Sequence, residues 1–168
     1  MTTEAKPAGL TWMAKLVLVL IVGLLVAGAL RPGTVFDAWH RFWTDLFERP
    51  GGPMSLRFLL QPLMATIAAF KDGTKDAKTG RSPYFWTVLS SPGERTARLS
   101  EGLVSTAQII LMGIVIDTIY QLKVFGTFYP VEALFCALAL AFVPYLLLRG
   151  PVSRIARRWI AARKVPAR

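Results

Sequence analysis

Three long apolar runs, separated by polar segments, set the pattern of the chain, and they cover residues 16–30, 103–122 and 131–148. A helix of about 20 apolar residues crosses the roughly 30 Å hydrocarbon core of a bilayer. Shorter stretches place apolar and polar side chains on opposite faces of a helix, which is typical of helices at a membrane surface. The pattern therefore predicts an all-α polytopic membrane protein with three or four transmembrane helices, three being favoured, plus amphipathic interfacial helices.

The first apolar run predicts an N-terminal transmembrane helix within residues 1–34. Residues 12–30 supply about 18 residues for the span, just enough to cross, and Arg31-Pro32-Gly33 ends it. A cleaved signal peptide is an alternative, because Ala27-Gly28-Ala29 has the small residues of a cleavage site. The Arg-Pro pair directly after that site disfavours removal of residues 1–29.

The next segment, residues 35–90, combines predicted interfacial helices with a cytoplasmic loop. Residues 35–48 place apolar side chains along one helical stripe. This stripe predicts an interfacial helix, or one packed on a partner, whose aromatic side chains are Trp39, Phe42, Trp43 and Phe47. His40 lies on the opposite face, where a merely polar role is favoured over cofactor binding. Further along, Tyr84–Trp86 is typical of an aromatic anchor at headgroup depth.

A shorter apolar run at residues 54–70 leaves the number of spans open. Only 13 residues separate Arg57 from Lys71, and Gln61-Pro62 interrupts them, so we favour a helix in the interface and three spans. If the run crosses, the chain has four spans, and its N-terminus lies on the same side as its C-terminal tail. Residues 71–81 are predicted to be a polar, turn-rich loop.

A capping box marks the start of the following helix. Ser91 at the N-cap, Pro92 at the first helical position and Glu94 at the third predict an unbroken helix of about 31 residues. The link at residues 123–130 is short enough to permit only an antiparallel neighbour. Residues 91–148 are therefore predicted to form an antiparallel transmembrane pair.

The tail, residues 149–168, carries seven Lys and Arg residues and no Asp or Glu. Gly150-Pro151 is predicted to break the preceding span, and the rest is typical of a basic amphipathic helix. Contact with anionic membrane lipids is the favoured role, carried by Arg149, Arg154, Arg157, Arg158 and Arg163. These charges, with six basic residues in the 71–101 segment, predict a cytoplasmic C-terminus. Nucleic-acid binding is disfavoured, because the tail is too short to form a folded nucleic-acid-binding domain.

Composition narrows the possible functions. The chain is 54% apolar, yet it has a formal net charge of +10, which fits apolar spans separated by basic segments. A single cysteine, Cys136, excludes an intrachain disulfide, and a single histidine excludes multi-histidine metal and haem sites. Phosphate-binding loops, nucleophile elbows and zinc-protease motifs are missing from the sequence. We therefore expect neither an enzyme nor a bound cofactor.

Asp117 is the strongest candidate for a functional residue within the predicted membrane spans. It lies six positions before Lys123, inside the predicted membrane depth, where a carboxylate is costly unless it faces protein or water. Tyr120 and Gln121 lie on the same helix face, and Glu132 is expected at a similar height in the next span. These four residues form a predicted intramembrane polar site. An ion or proton site is one interpretation, and a polar contact between helices is favoured over it.

Several motifs between residues 54 and 158 stand out, namely Arg57-Phe58-Leu59-Leu60-Gln61-Pro62-Leu63, Lys71-Asp72-Gly73 with Asp76-Ala77, Gly80-Arg81-Ser82-Pro83, Asp117-x-x-Tyr120-Gln121, Tyr129-Pro130-Val131-Glu132-Ala133 and Arg149-Gly150-Pro151-Val152-Ser153-Arg154-Ile155-Ala156-Arg157. Together they resemble a group of short, uncharacterised bacterial inner-membrane proteins. The resemblance implies a multi-pass protein of the bacterial inner membrane. It implies no particular activity.

These observations favour a non-catalytic membrane subunit or assembly factor of a larger inner-membrane complex, or of a homo-oligomer. A small oligomeric carrier or proton-conducting protein centred on Asp117 and Glu132 is an alternative. A module that binds anionic lipid through the tail and the aromatic helix is a further alternative.

Overall fold

A computed structural model describes residues 10–30, 37, 39–40, 43–44 and 56–163 of the chain. Five helices with defined ends follow one another there, namely α1 (Trp12–Ala29), α2 (Arg57–Lys78), α3 (Tyr84–Ser90), α4 (Pro92–Val124) and α5 (Pro130–Arg163). By length and composition, α1, α4 and α5 can each cross a membrane. The predicted all-α, multi-span fold is confirmed.

Helices α4 and α5 form the predicted antiparallel hairpin. Helix α4 begins at Pro92, as expected, but the Ser91 side chain forms no capping hydrogen bond. Ser91 is also the C-cap of the preceding helix, and its N–H donates to the carbonyl oxygen of Thr87 at 3.0 Å. That dual position accounts for the missing cap. The link to α5 turns at Gly126, whose φ of 64° favours glycine.

Helix α2 corrects the prediction of a loop at residues 71–81. It continues through this segment to Lys78, and the turn comes only at Gly80, whose φ is 70°. The polar residues stay helical because two of them, Asp72 and Asp76, hydrogen-bond to side chains on other helices. Tertiary contacts thus override the local turn signals.

The direction of α2 also bears on the number of spans. Near its start, Gln61 Nε2 donates to the Ile109 carbonyl oxygen in the middle of α4 at 3.4 Å. Near its end, Asp76 pairs with Arg98 at the start of α4. Helix α2 therefore lies lengthwise along the hairpin, antiparallel to α4. It cannot lie flat in the interface if α4 crosses the membrane.

Helix α1 runs in the opposite direction to α5. Gly28, at its end, packs on Val131, at the start of α5, while Ala14 and Val17 are buried in the core earlier along α1. The start of α1 therefore lies at the same end of the bundle as the C-terminal part of α5. By length and composition, however, α2 is not among the helices that can cross a membrane, and the favoured count of three such helices is confirmed for the described residues.

Helix α5 continues past the predicted break at Gly150-Pro151 and ends at Arg163. A proline in a helix removes one backbone hydrogen bond. Close packing against α2 stabilises the helical turn that contains Pro151. Gly73 of α2 lies against the backbone of Arg149 and the side chain of Val152. The absence of a side chain at Gly73 lets the two helices approach closely at this point.

We expect Gly73→Ala to lower the free energy of unfolding by about 1–3 kcal/mol, as overpacking does in a tight contact. A methyl group there would lie 2.8 Å from the Arg149 carbonyl oxygen and 2.9 Å from Val152 Cγ1. Gly23→Ala is the matched control: the space beside Gly23 is open, so stability should stay the same or rise by up to about 1 kcal/mol. Thermal unfolding in detergent, followed by circular dichroism, measures both, and equal effects would contradict the close approach.

Candidate functional site: a buried ion-pair cluster

The most highly charged part of the interior lies where α2, α4 and α5 meet. Arg149 of α5 and Asp76 of α2 form a two-pronged pair: Nε donates to Oδ2 at 2.8 Å and Nη2 to Oδ1 at 3.1 Å. Both residues are buried, with exposed fractions of 3% and 1%. Such a parallel arrangement is the strongest geometry for a guanidinium and a carboxylate.

Three further charges complete what we call the ion-pair cluster (Asp76, Arg81, Arg98, Glu101 and Arg149). Arg98 Nη1 lies 3.4 Å from Asp76 Oδ1. Glu101 lies 3.2 Å from Arg149 Nη2 and 2.8 Å from Arg81 Nη2. The cluster therefore joins α2, the turn after α2, α4 and α5 through side chains that bind one another.

Two tyrosines enclose the Arg149 guanidinium. Its Cζ lies 4.2 Å from the ring centroid of Tyr84, and its Nη1 donates to the Tyr145 hydroxyl at 2.7 Å. The Tyr145 hydroxyl in turn donates to Asp72 Oδ2 at 2.7 Å. An aromatic face stabilises a cation, so these contacts replace part of the hydration that Arg149 loses on burial.

Tyr84 also fixes α3 against α4. Its hydroxyl donates to the Arg98 carbonyl oxygen at 2.7 Å. Burial raises the pKa of Tyr84 to about 12, although the nearby positive charge of Arg149 acts in the opposite direction. The hydroxyl therefore remains protonated, and remains a donor, throughout the physiological pH range.

The predicted intramembrane site lies at the other end of the hairpin. We call Asp117, Gln121 and Glu132 the link-end cluster, and all three are completely buried. Gln121 Nε2 donates to Asp117 Oδ2 at 2.6 Å, and Gln121 Oε1 accepts from the Tyr129 N–H at 2.6 Å. Tyr120, the fourth predicted member, is also buried, and its ring packs edge-on against Phe125 at 5.6 Å between centroids.

The two clusters are far apart. Along α4, Arg98 and Asp117 are 19 positions from each other, which corresponds to about 28 Å. Along α5, Glu132 and Arg149 are 17 positions apart, or about 26 Å. Polar side chains thus mark both ends of the bundle, and they act as two separate sites.

The five arginines predicted to contact lipid lie in different environments in the structure. Arg149 departs from that expectation, because its guanidinium is buried against Asp76. Arg157 donates to the Arg81 carbonyl oxygen. Arg154, Arg158 and Arg163 are exposed along α5, where contact with a charged headgroup is open to them.

The predicted aromatic helix is described only in part. Trp39 and Trp43 are helical and half-exposed, and their rings pack edge-on at 5.2 Å. Trp39 also lies 6.1 Å from the ring of Phe135 on α5. Phe42 and Phe47 lie outside the described residues. Of the predicted aromatic anchor, Phe85 and Trp86 are exposed, whereas Tyr84 is buried.

Nothing in the described ranges resembles a metal centre: no three His, Cys, Asp or Glu side chains there are grouped to hold an ion. Cys136 is buried in α5. Comparison of the chain with protein-family models, with characterised proteins and with solved structures finds no match.

Sequence reasoning missed Asp76, Arg98 and Glu101 as site residues. A local signal for part of the set exists, since Asp72 and Asp76 are four positions apart, and helical spacing would place both carboxylates on one face. The partner of Asp76, Arg149, lies 73 positions away. No local pattern connects two charges at that separation.

Proposed function

We propose that the protein is a non-catalytic integral membrane subunit, or an assembly factor, of a larger complex in the bacterial inner membrane. The observation that carries this proposal is the uncovered surface of α1. Only 11% of its apolar span is buried, against 44% for α4 and 50% for α5. Helix α1 is therefore a peripheral helix with most of its surface available for contact with another chain.

The chemistry of that surface supports a helix as its partner. Ala14 and Val17 mark the side of α1 that packs on the hairpin. Gly23 lies on a different side with open space beside it, and Ala27 follows one turn later on the same face. Small residues four apart let the backbones of membrane helices approach closely.

The two polar clusters support a structural role over a catalytic one. In the ion-pair cluster the charged groups bind one another, and Asp76, Arg98 and Arg149 are buried. An ion carrier centred on Asp117 and Glu132 would need water or ions to reach these carboxylates. Both are completely buried, which favours the subunit over the carrier.

Location is inferred from charge and from resemblance. Residues 71–101 and the tail are rich in Lys and Arg, which supports a cytoplasmic position for both. The resemblance of residues 54–158 to short bacterial inner-membrane proteins supports a location in the bacterial inner membrane.

Substitution of Gly23 tests the proposal. We expect Gly23→Ile to reduce co-purification of a membrane partner in mild detergent by about tenfold or more, because bulk at a small-residue contact separates the helices. Ala29→Ile is the matched control, since Ala29 is exposed on another side of α1. Quantitative mass spectrometry of the affinity-purified protein measures both.

Two results would contradict the proposal. One is recovery of the wild-type chain as a stable monomer with no second protein. The other is an equal loss of partner in Gly23→Ile and Ala29→Ile. Recovery of only a second copy of the chain would replace the larger complex with a homo-oligomer.

A further inference from the structure

A groove of about 480 Å³ lies between α2 and the C-terminal part of α5. Phe70 from α2 and Val152, Ile155 and Trp159 from α5 contribute to its lining. These apolar side chains are not covered by other parts of the described chain: Trp159 is 66% exposed and Phe70 is 61% exposed. The volume lies in the range of small-molecule sites, about 300–1,000 Å³.

The charge of the groove is one-sided. Lys78 and Arg163 both line it, and no acidic residue does. Lys78 is the last residue of α2, and Arg163 is the last described residue of α5. Along both helices, therefore, the apolar lining residues come first and the cation comes last, farther from the apolar spans.

We propose that this groove binds one acidic phospholipid molecule. Its acyl chain would lie against the apolar lining, and its phosphate would lie beside Lys78 and Arg163. A phospholipid has the same order of parts, an apolar chain followed by an anionic headgroup. The groove also begins where the apolar run of α2 ends, at Phe70, so that one end of it lies next to the apolar part of the bundle.

This site differs from general attraction of the basic tail to an anionic surface. Arg154 and Arg158 are exposed on the same helix but do not contribute to the lining of the groove. Attraction by net charge would depend equally on these two arginines and on the groove cations. A built site depends on Lys78 and Arg163 alone, and on the free space beside Ala156, which also lines the groove.

Native mass spectrometry of the detergent-solubilised full chain tests the proposal, with phosphatidylglycerol as the probe and phosphatidylcholine of the same acyl chains as the competitor. We expect the wild type to retain one phosphatidylglycerol in preference to phosphatidylcholine. In the double variant Lys78→Ala/Arg163→Ala, retention should fall by about 30-fold, since two cations beside the headgroup are removed. Arg154→Ala/Arg158→Ala removes the same charge outside the groove and should leave retention within about twofold.

A third variant tests the apolar part. Ala156→Phe fills the groove without changing charge and should abolish retention, while circular dichroism confirms that the variant is folded. Equal losses in the two double variants would overturn the proposal in favour of surface attraction. Equal retention of the two lipids by the wild type would also overturn the proposal. A dimer of the wild-type chain that Ala156→Phe dissociates would overturn it too, because a second copy of the chain would then occupy the groove.

Discussion

Asp76→Asn will lower the free energy of unfolding by about 3–5 kcal/mol, the usual cost of removing one partner from a buried ion pair. The carboxylate faces Arg149 and Arg98, and all three side chains are buried. An asparagine keeps the shape of the side chain, but it leaves two guanidinium groups in the interior with less negative charge to balance them. Denaturation by SDS, followed by circular dichroism, measures the loss.

Asp72→Asn is the matched control, because Asp72 lies one turn earlier on α2 and accepts hydrogen bonds from the hydroxyls of Ser105 and Tyr145. An amide oxygen can accept the same bonds, so we expect a loss of about 1 kcal/mol. If the two substitutions cost the same, the ion pairs contribute no more than ordinary hydrogen bonds. In a double-mutant cycle with Arg149→Met, the loss in the double variant should be smaller than the sum of the single losses.

The second large effect is expected at the link between α4 and α5. Gln121→Leu removes two hydrogen bonds, a buried one to the Asp117 carboxylate and a partly buried one from the Tyr129 N–H. Each group that loses its bond costs about 1–3 kcal/mol, so the free energy of unfolding should fall by about 2–6 kcal/mol. Hydrogen exchange at the Tyr129 amide should also become faster, because Gln121 no longer protects it.

Gln108→Leu provides the control within the same helix. Gln108 is exposed, so that the same substitution there removes no buried contact and should leave stability and Tyr129 exchange unchanged. A Gln121→Leu variant as stable as Gln108→Leu would show that the link is held by its apolar contacts alone.

Local relations along the chain were enough to predict the spans and the contact between Asp117 and Gln121. Asp117 and Gln121 are four positions apart, so helical spacing alone brings them together. The start of α4 at Pro92 also follows from the order of residues around it. In these cases the interacting residues belong to one helix or to directly joined helices.

The ion-pair cluster could not be predicted in this way. Its central pair joins positions 73 residues apart, and the packing of three helices decides which charges meet. The same packing keeps residues 71–78 helical in spite of their turn-forming composition, and turns Arg149 from a lipid-facing candidate into a buried one. The composition of a segment cannot predict its helicity or the burial of its charges when these depend on contacts with other helices.

The spacing of the two polar clusters has a consequence for the surrounding lipid. The apolar stretch between them is about 26–28 Å long, slightly less than the roughly 30 Å of an average hydrocarbon core. A single helix adapts to a thicker or thinner bilayer by tilting. Helices α2, α4 and α5 are joined by charged pairs at one end, and the α4–α5 link is hydrogen-bonded at the other, so they cannot tilt independently. In a thick bilayer the lipid must therefore thin around the protein, and membranes with short acyl chains should accommodate it with the least deformation.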